Sequence, residues 1–112
     1  LKGNGNAVRD FIWAGDVCNV IGQSLYFEPN KVFNLSSGMT FTIMDLAKEV
    51  QSAYKARYKE EVFIECDKKD KLNTQYLKVD NTKINDLLNM KFKNKFCDEV
   101  NAIFDLLEIN AK

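Results

Sequence analysis

Arg9 is the charged residue that the sequence places best for binding a ligand. It follows a turn signalled by Gly3 and Gly5 and stands within a run of β-branched and aromatic residues. A planar guanidinium can make two parallel hydrogen bonds to a carboxylate or to a phosphate group. The residue types alone favour the first interpretation, in which this strand arginine pairs with Asp10 or another carboxylate.

The residues that most often carry catalysis are missing or poorly spaced. The chain has no histidine, which excludes an arrangement of nucleophile and histidine. Cys18, Cys66 and Cys97 are far apart and fit neither a disulfide framework nor a zinc site, so we interpret them as reduced, mostly buried thiols. Gly3-x-Gly5 lacks the third glycine of a dinucleotide fingerprint and leads into a strand. No catalytic or metal-binding residue is predicted.

Charge and length narrow the class of protein. Sixteen basic and sixteen acidic residues cancel, so no basic field attracts nucleic acid. No apolar run is long enough for a membrane span and no signal peptide is visible, which favours a cytoplasmic protein. The 112 residues suffice for one domain, and because the chain begins with Leu1 rather than methionine we interpret it as part of a longer polypeptide.

The hydrophobic periodicity predicts an α+β domain with about four helices and three or four short strands. The predicted strands are residues 8–13, 31–35 and 62–66. The predicted helices are residues 16–27, one that starts at Thr42 with a capping box, 83–89 and 96–108.

Several side chains are given roles within these helices. Asp16 is predicted to cap the first helix. In the second helix the polar face, which includes Lys55 and Arg57, is interpreted as solvated. The stripe of the last helix is interpreted as core, and it consists of Val100, Ile103, Phe104 and Leu107.

The pattern G-x-G-x-x-x-R-D-F-x-x-x-x-D-V from Gly3 to Val17 resembles the entry to the substrate-binding lobe of NAD-dependent epimerases/dehydratases. These are extended short-chain dehydrogenases that act on nucleotide sugars. The later segments V-F-N-L-S-S-G and T-x-x-D-L-A resemble motifs of the same family, as does D-x-x-K at Asp80–Lys83. The resemblance extends from Gly3 to about Glu108.

The resemblance implies specific contacts. Arg9 matches the arginine that reaches the diphosphate of the bound nucleotide sugar. In the family a loop corresponding to residues 67–75 often carries an arginine that touches the nucleotide; here Lys68, Lys69 or Lys71 stands instead, and we select Lys69 and Lys71 as substrate-binding candidates. Asn34 and Ser36 are interpreted as turn residues, and the D-x-x-K segment as structural.

The resemblance also implies a role for the whole chain. Residues 1–112 would form the C-terminal nucleotide-sugar-binding lobe, and the Rossmann lobe that binds NAD(P) would lie outside them. No tyrosine has a lysine four residues later, so the family's catalytic pair is missing and the lobe alone is expected to be inactive. The expected partners are a nucleotide sugar and the Rossmann lobe, and a homodimer remains open.

Two alternatives stay beside this interpretation. The same scaffold could serve as a free-standing, non-catalytic interaction module, or the chain could be a small enzyme with unfamiliar chemistry. An excised lobe should expose the apolar surface that once met its partner. A small enzyme should instead show a pocket with converging acids.

Overall fold

Four helices and a two-stranded sheet make up the regular structure of the part of the chain that is described. The computed structural model describes residues 1, 3–27, 31–67, 76–93 and 95–112. The elements in chain order are β1 (Val8–Asp10), α1 (Ala14–Ser24), β2 (Thr40–Thr42), α2 (Ile43–Tyr58), α3 (Thr82–Leu88) and α4 (Phe96–Asn110). β1 pairs with β2. The predicted α+β class with four helices is confirmed.

The strand predictions are the weaker part. β1 ends at Asp10 rather than at residue 13, and neither 31–35 nor 62–66 forms a regular strand. Side chains donate to a carbonyl of each segment: Lys83 Nζ donates to Val32 O at 2.8 Å and Gln51 Nε2 donates to Val62 O at 2.6 Å. Strand-forming residues need a neighbouring ladder, and sequence alone does not show whether one is present.

Chain segments that are distant in sequence form two compact units. The first consists of Leu1–Val8, Thr42–Gln75 and Lys95–Lys112. The second consists of Arg9–Phe41 and Tyr76–Asn94. Among the described residues, the buried apolar side chains are Leu46, Ala53 and Val100 in the first unit and Val20 and Ile84 in the second.

The start of α2 shows how the first unit satisfies a helix end. The backbone N–H groups of Ile43 and Met44 donate to Ala7 O and Gly5 O at 3.1 and 2.9 Å. Asp45 N–H donates to Thr42 Oγ1, and the Asp45 carboxylate accepts from Thr42 N–H. The predicted capping box is thus confirmed. Gly5 reaches this position with φ of +77°, a conformation that favours glycine.

α1 begins earlier than predicted. Its N-cap is Trp13, whose carbonyl accepts the N–H groups of Asp16 and Val17 at 3.0 and 3.2 Å. Asp16 lies inside the first turn and makes no cap hydrogen bond, so its predicted capping role is wrong. Its charge still favours the positive end of the helix dipole.

The prediction that Arg57 of α2 is only solvated is wrong, because its side chain contacts α4. Its guanidinium makes a two-pronged contact with Glu108 of α4, with both N···O distances at 2.9 Å, and donates to Asp105 at 2.6 Å. It also lies 5.7 Å from the ring centroid of Tyr58 and 5.9 Å from that of Phe104. Only 24% of the side chain is exposed. Arg57 therefore joins α2 to α4 through both charge and packing.

The stripe of α4 is only partly core. Val100 is buried and Phe104 packs edge-on against Tyr54 and Tyr58, whereas Ile103 and Leu107 are exposed. The helix turns a mixed face to α2, because Asp105 and Glu108 meet Arg57 there.

The three thiols are free, and the prediction that they are mostly buried is wrong. Cys18 and Cys97 are exposed and Cys66 is half-buried.

We expect Arg57→Ala to lower the thermal midpoint of unfolding by several degrees, because it removes the link to Asp105 and Glu108 and the packing on Phe104. Thermal circular dichroism measures this change. Lys48→Ala removes a cation from the exposed side of α2 and should shift the midpoint much less. Equal midpoints for the two variants would contradict the role given to Arg57.

The contribution of Glu108 should depend on pH. Hydrogen bonds from Arg57 and Tyr58 hold its pKa below the ordinary value of 4.5. A carboxyl whose pKa is lowered by folding stabilises the protein above the ordinary value and loses that contribution as pH falls through the lowered one. Wild type and Glu108→Gln should therefore differ in urea midpoint at pH 7. The difference should shrink as pH falls below about 4.5 and disappear below the lowered pKa. An Arg57→Ala background should remove most of the pH dependence.

Candidate functional site

Arg9 lies in β1, in the second unit, and is half-buried. It is followed directly by Asp10, whose side chain is fixed on the neighbouring loop. Successive side chains of a strand point to opposite faces, so Arg9 leaves β1 on the face away from that loop.

Asp10 holds the start of the Ser37–Gly38 turn. One carboxylate oxygen accepts the backbone N–H and the hydroxyl of Ser37 at 2.9 and 3.0 Å, and the other accepts Gly38 N–H at 2.9 Å. Ser37 Oγ also accepts Met39 N–H at 2.9 Å. Gly38 has φ of +73°, where a side chain would be strained. The R-D-F and S-S-G motifs are thus two halves of one hydrogen-bonded structure.

A second set of bonds ties this turn to the chain before α3. Ser36 is 3% exposed; its hydroxyl donates to Val79 O at 3.1 Å, and its carbonyl accepts from Asn81 Nδ2 at 2.9 Å. A Cβ on Gly38 would lie 3.1 Å from Asn81 Nδ2. Ser36 therefore bonds to residues far along the chain rather than within its own turn. The prediction that Ser36 bonds locally as a turn residue is therefore wrong, because its partners are Val79 and Asn81.

An open depression of about 520 Å³ lies beside these residues. It is lined by Gly38, Lys78, Val79, Asp80, Asn81 and Thr82. Thr82 donates to Asp80 Oδ1 from its backbone N–H at 2.9 Å and from its hydroxyl at 2.6 Å, which keeps the pKa of Asp80 below its ordinary value. The ionised Asp80 offsets the charge of Lys78, so this depression is poorly suited to a phosphate group.

The D-x-x-K segment stabilises the fold through Lys83. Lys83 donates to Val32 O at 2.8 Å and its ammonium lies 4.8 Å from the ring centroid of Phe33. These contacts anchor α3 on the 31–35 segment of the same unit. They agree with the structural role predicted from the sequence.

Trp13 is held against the first turn of α1, within the same unit as Arg9. A Cβ on Gly15 would lie only 2.3–2.5 Å from three carbon atoms of the indole, so the ring occupies the space that a larger residue would fill. Trp13 is half-buried. The only tryptophan of the chain is therefore a positioned fluorophore near the start of the second unit.

The remaining predicted ligands, Lys69 and Lys71, lie outside the described residues, as does Lys68. The sequence analysis missed the structural role of Asp10, which it names only as a possible partner for Arg9. The signal in the sequence was a carboxylate in one motif and an S-S-G turn in another, because the N–H groups of serine and glycine are good hydrogen-bond donors to a carboxylate.

None of the helices within the described ranges is both long enough and apolar enough to cross a lipid bilayer.

The fold of this chain is similar to parts of three larger enzymes whose structures are solved. RMD from Pseudomonas aeruginosa, complexed with NADPH, aligns with a TM-score of 0.72 at 19% identity, over 94% of this chain and 34% of its own. A UDP-N-acetylglucosamine 4-epimerase from Methanobrevibacter ruminantium M1, in complex with UDP-N-acetylmuramic acid, aligns with a TM-score of 0.70 at 19% identity, over 89% and 31%. A dTDP-glucose 4,6-dehydratase from Bacillus anthracis str. Ames, in complex with NAD, aligns with a TM-score of 0.72 at 17% identity, over 98% and 34%.

These neighbours belong to the NAD-dependent epimerase/dehydratase family that the motifs of this chain resemble. The chain spans about a third of each of them. No protein-family model and no curated protein matches the sequence. At this level of identity the likeness establishes a shared fold.

We expect Asp10→Asn to destabilise the protein by about 1–3 kcal/mol. The amide would replace one accepting oxygen with an NH₂ group, which cannot accept from Ser37 or Gly38. Urea denaturation measures the loss. Asp86→Asn makes the same chemical change at an exposed position of α3 and should alter the unfolding free energy by less than about 0.5 kcal/mol. An equal loss in both variants would argue against the role of Asp10.

Proposed function

We propose that this chain is the nucleotide-sugar-binding lobe of an NAD-dependent epimerase or dehydratase, with Arg9 contacting the diphosphate. The observation that supports the proposal is that the sequence motifs and the fold both resemble the same family of enzymes. The segments that resemble the family in sequence, R-D-F and S-S-G, are joined by Asp10 in a chain whose fold matches a third of three such enzymes.

Asp10 supports the assignment of Arg9. Because its carboxylate is fixed by Ser37 and Gly38, the backbone at the adjacent Arg9 is held in a defined position. A fixed backbone leaves only the side chain of Arg9 to be ordered when a ligand binds, which lowers the entropic cost of binding. The guanidinium can then present two N–H groups to the oxygens of a diphosphate. Lys69 and Lys71 remain proposed contacts to the same ligand.

A companion body that binds NAD(P) forms the second part of the proposal. The Gly3–Gly5 turn does not fit the dinucleotide itself, because it leads into β1 and its Gly5 carbonyl accepts Met44 N–H of α2. Apolar side chains at the end of α1, namely Ile21, Leu25 and Tyr26, are 60–90% exposed. Such a surface is suited to burial against another protein body.

The alternative of a non-catalytic interaction module uses the same exposed residues. It differs in making no use of Arg9 as a phosphate ligand. Nucleotide binding therefore separates the two functions.

We expect saturable binding when the chain is titrated with UDP, dTDP, GDP and CDP, with one nucleotide preferred. Trp13 fluorescence and amide chemical shifts report the binding. Arg9→Ala should raise the dissociation constant by about tenfold to a hundredfold, the value of a charge-assisted hydrogen bond. Arg9→Lys should recover only part of it, because a point charge cannot make the two-pronged contact.

Lys48→Ala is the matched control, because it removes an exposed cation from α2 and should leave the dissociation constant unchanged. Equal affinity in wild type and Arg9→Ala would reject Arg9 as the diphosphate ligand. No saturation by any of the four nucleotides with the folded chain would contradict a lobe that binds on its own and would favour the interaction module.

A further inference from the structure

Asn4 and Gly5 form the only Asn-Gly pair in the sequence. The side-chain amide of an asparagine lies close to the backbone nitrogen of the next residue, and this nitrogen can attack the amide carbon within the same chain. Asparagine is thermolabile for this reason. A Cβ on the next residue hinders the attack, whereas glycine leaves the nitrogen accessible and the backbone free to rotate. Asn4 therefore has the sequence context that most favours this reaction.

The structure explains why position 5 is a glycine. Gly5 has φ of +77°, where a residue with a side chain is strained. A Cβ at this position would lie only 3.1 Å from both Cβ and Cε of Met44. Asn4 Oδ1 accepts Asn6 N–H at 3.0 Å, and such a donor stabilises the negative charge that develops on this oxygen during the attack. Position 5 therefore carries no group that hinders the reaction, and position 6 supplies a donor that favours it.

We propose that Asn4 is a site of spontaneous deamidation, and that isoaspartate at this position prevents the Gly3–Ala7 segment from docking on α2. In the first step the Gly5 nitrogen forms a bond to the side-chain carbonyl carbon of Asn4. The amide nitrogen leaves as ammonia with the proton of the Gly5 N–H, and a succinimide ring remains. Water then opens the ring at either carbonyl, which gives aspartate or isoaspartate. Water is the only co-reactant, and no oxidant or reductant is required.

The main chain is anchored on both sides of Asn4 within the first unit. Gly3 O accepts Asp67 N–H at 3.1 Å, and Gly5 O accepts Met44 N–H at 2.9 Å. Isoaspartate carries the main chain through its side-chain carbon, so one additional main-chain atom separates these two carbonyls. The lengthened segment no longer matches the spacing of its two partners. Aspartate leaves the main chain unchanged and keeps both hydrogen bonds.

Docking of the segment controls the rate of the reaction. Gly5 is buried and its carbonyl is bonded to α2, so the backbone rotation that closes the ring is restricted in the docked state. Local opening removes this restriction. The isoaspartate that forms in the open state then opposes redocking. The modified fraction therefore increases with the time that the segment has spent open.

Ageing of the 112-residue chain at mildly alkaline pH and body temperature tests the proposal. Trypsin releases residues 3–9 as one peptide, in which tandem mass spectrometry distinguishes Asn4 from Asn6. Asn6 is an exposed internal control, because Ala7 rather than glycine follows it. The mass gain of about one dalton should appear at Asn4 about tenfold or more faster than at Asn6. Equal rates at the two positions would overturn the assignment of the site.

The same measurement in urea tests the role of docking. The unfolded chain should deamidate at Asn4 about tenfold faster than the folded chain, because the anchored backbone is released. Equal rates in the folded and unfolded chains would overturn the control by docking.

Hydrogen exchange tests the structural consequence. The isoaspartate form, separated by chromatography and identified with a protein-isoaspartate methyltransferase, should exchange the Met44 amide about tenfold or more faster than the unmodified chain. Freshly purified Asn4→Asp introduces the same charge with a normal main chain and should keep the protection of Met44. Asn4→Gln, which would have to close a larger ring, should keep its mass and its protection throughout ageing.

Unchanged protection of Met44 in the isoaspartate form would overturn the loss of docking. An equal loss in fresh Asn4→Asp would assign the effect to the added charge and would also overturn it. Circular dichroism checks that the chain and both variants are folded at the start.

Discussion

The carboxylate of Asp10 is the constraint on which the arrangement of the second unit depends. It accepts three hydrogen bonds from Ser37 and Gly38, and the same turn is tied through Ser36 to Val79 and Asn81. Among the described residues of this unit, Val20 and Ile84 are the buried apolar side chains. The fixed carboxylate of Asp10 adds hydrogen bonds to this apolar packing, and it positions the strand that carries Arg9.

Where the sequence predicts correctly, the signal is local. The capping box of Thr42 and Asp45 needs only the residues that form it. Glycine at position 5 allows the positive φ that the turn there requires. Helical periodicity identifies the four helices of the described ranges, with boundaries that differ by a few residues. Each of these features depends on interactions within about one helical turn, which neighbouring residues specify.

Where the sequence fails, the deciding contact comes from distant residues. Arg57 resembles any solvated helix cation until α4 brings Asp105 and Glu108 to it. Ile103 and Leu107 share the spacing of core residues but lie on the side of α4 away from α2. At the candidate site, the motif identifies Arg9, whereas the three hydrogen bonds of Asp10 depend on a turn 27–28 residues later. Residue type and spacing do not show which distant residues come into contact in the folded chain.

The start of α2 has a consequence for the order of folding. Its first two N–H groups donate to Ala7 O and Gly5 O, which precede them by more than thirty residues. Such a contact requires a long loop to close before it contributes any stability, and loop closure is slow compared with helix growth. The later turns of α2 can form from local bonds alone. We therefore expect the contacts between α2 and the Gly3–Ala7 segment to form after the helix itself, so that docking of this segment is a late step in assembly.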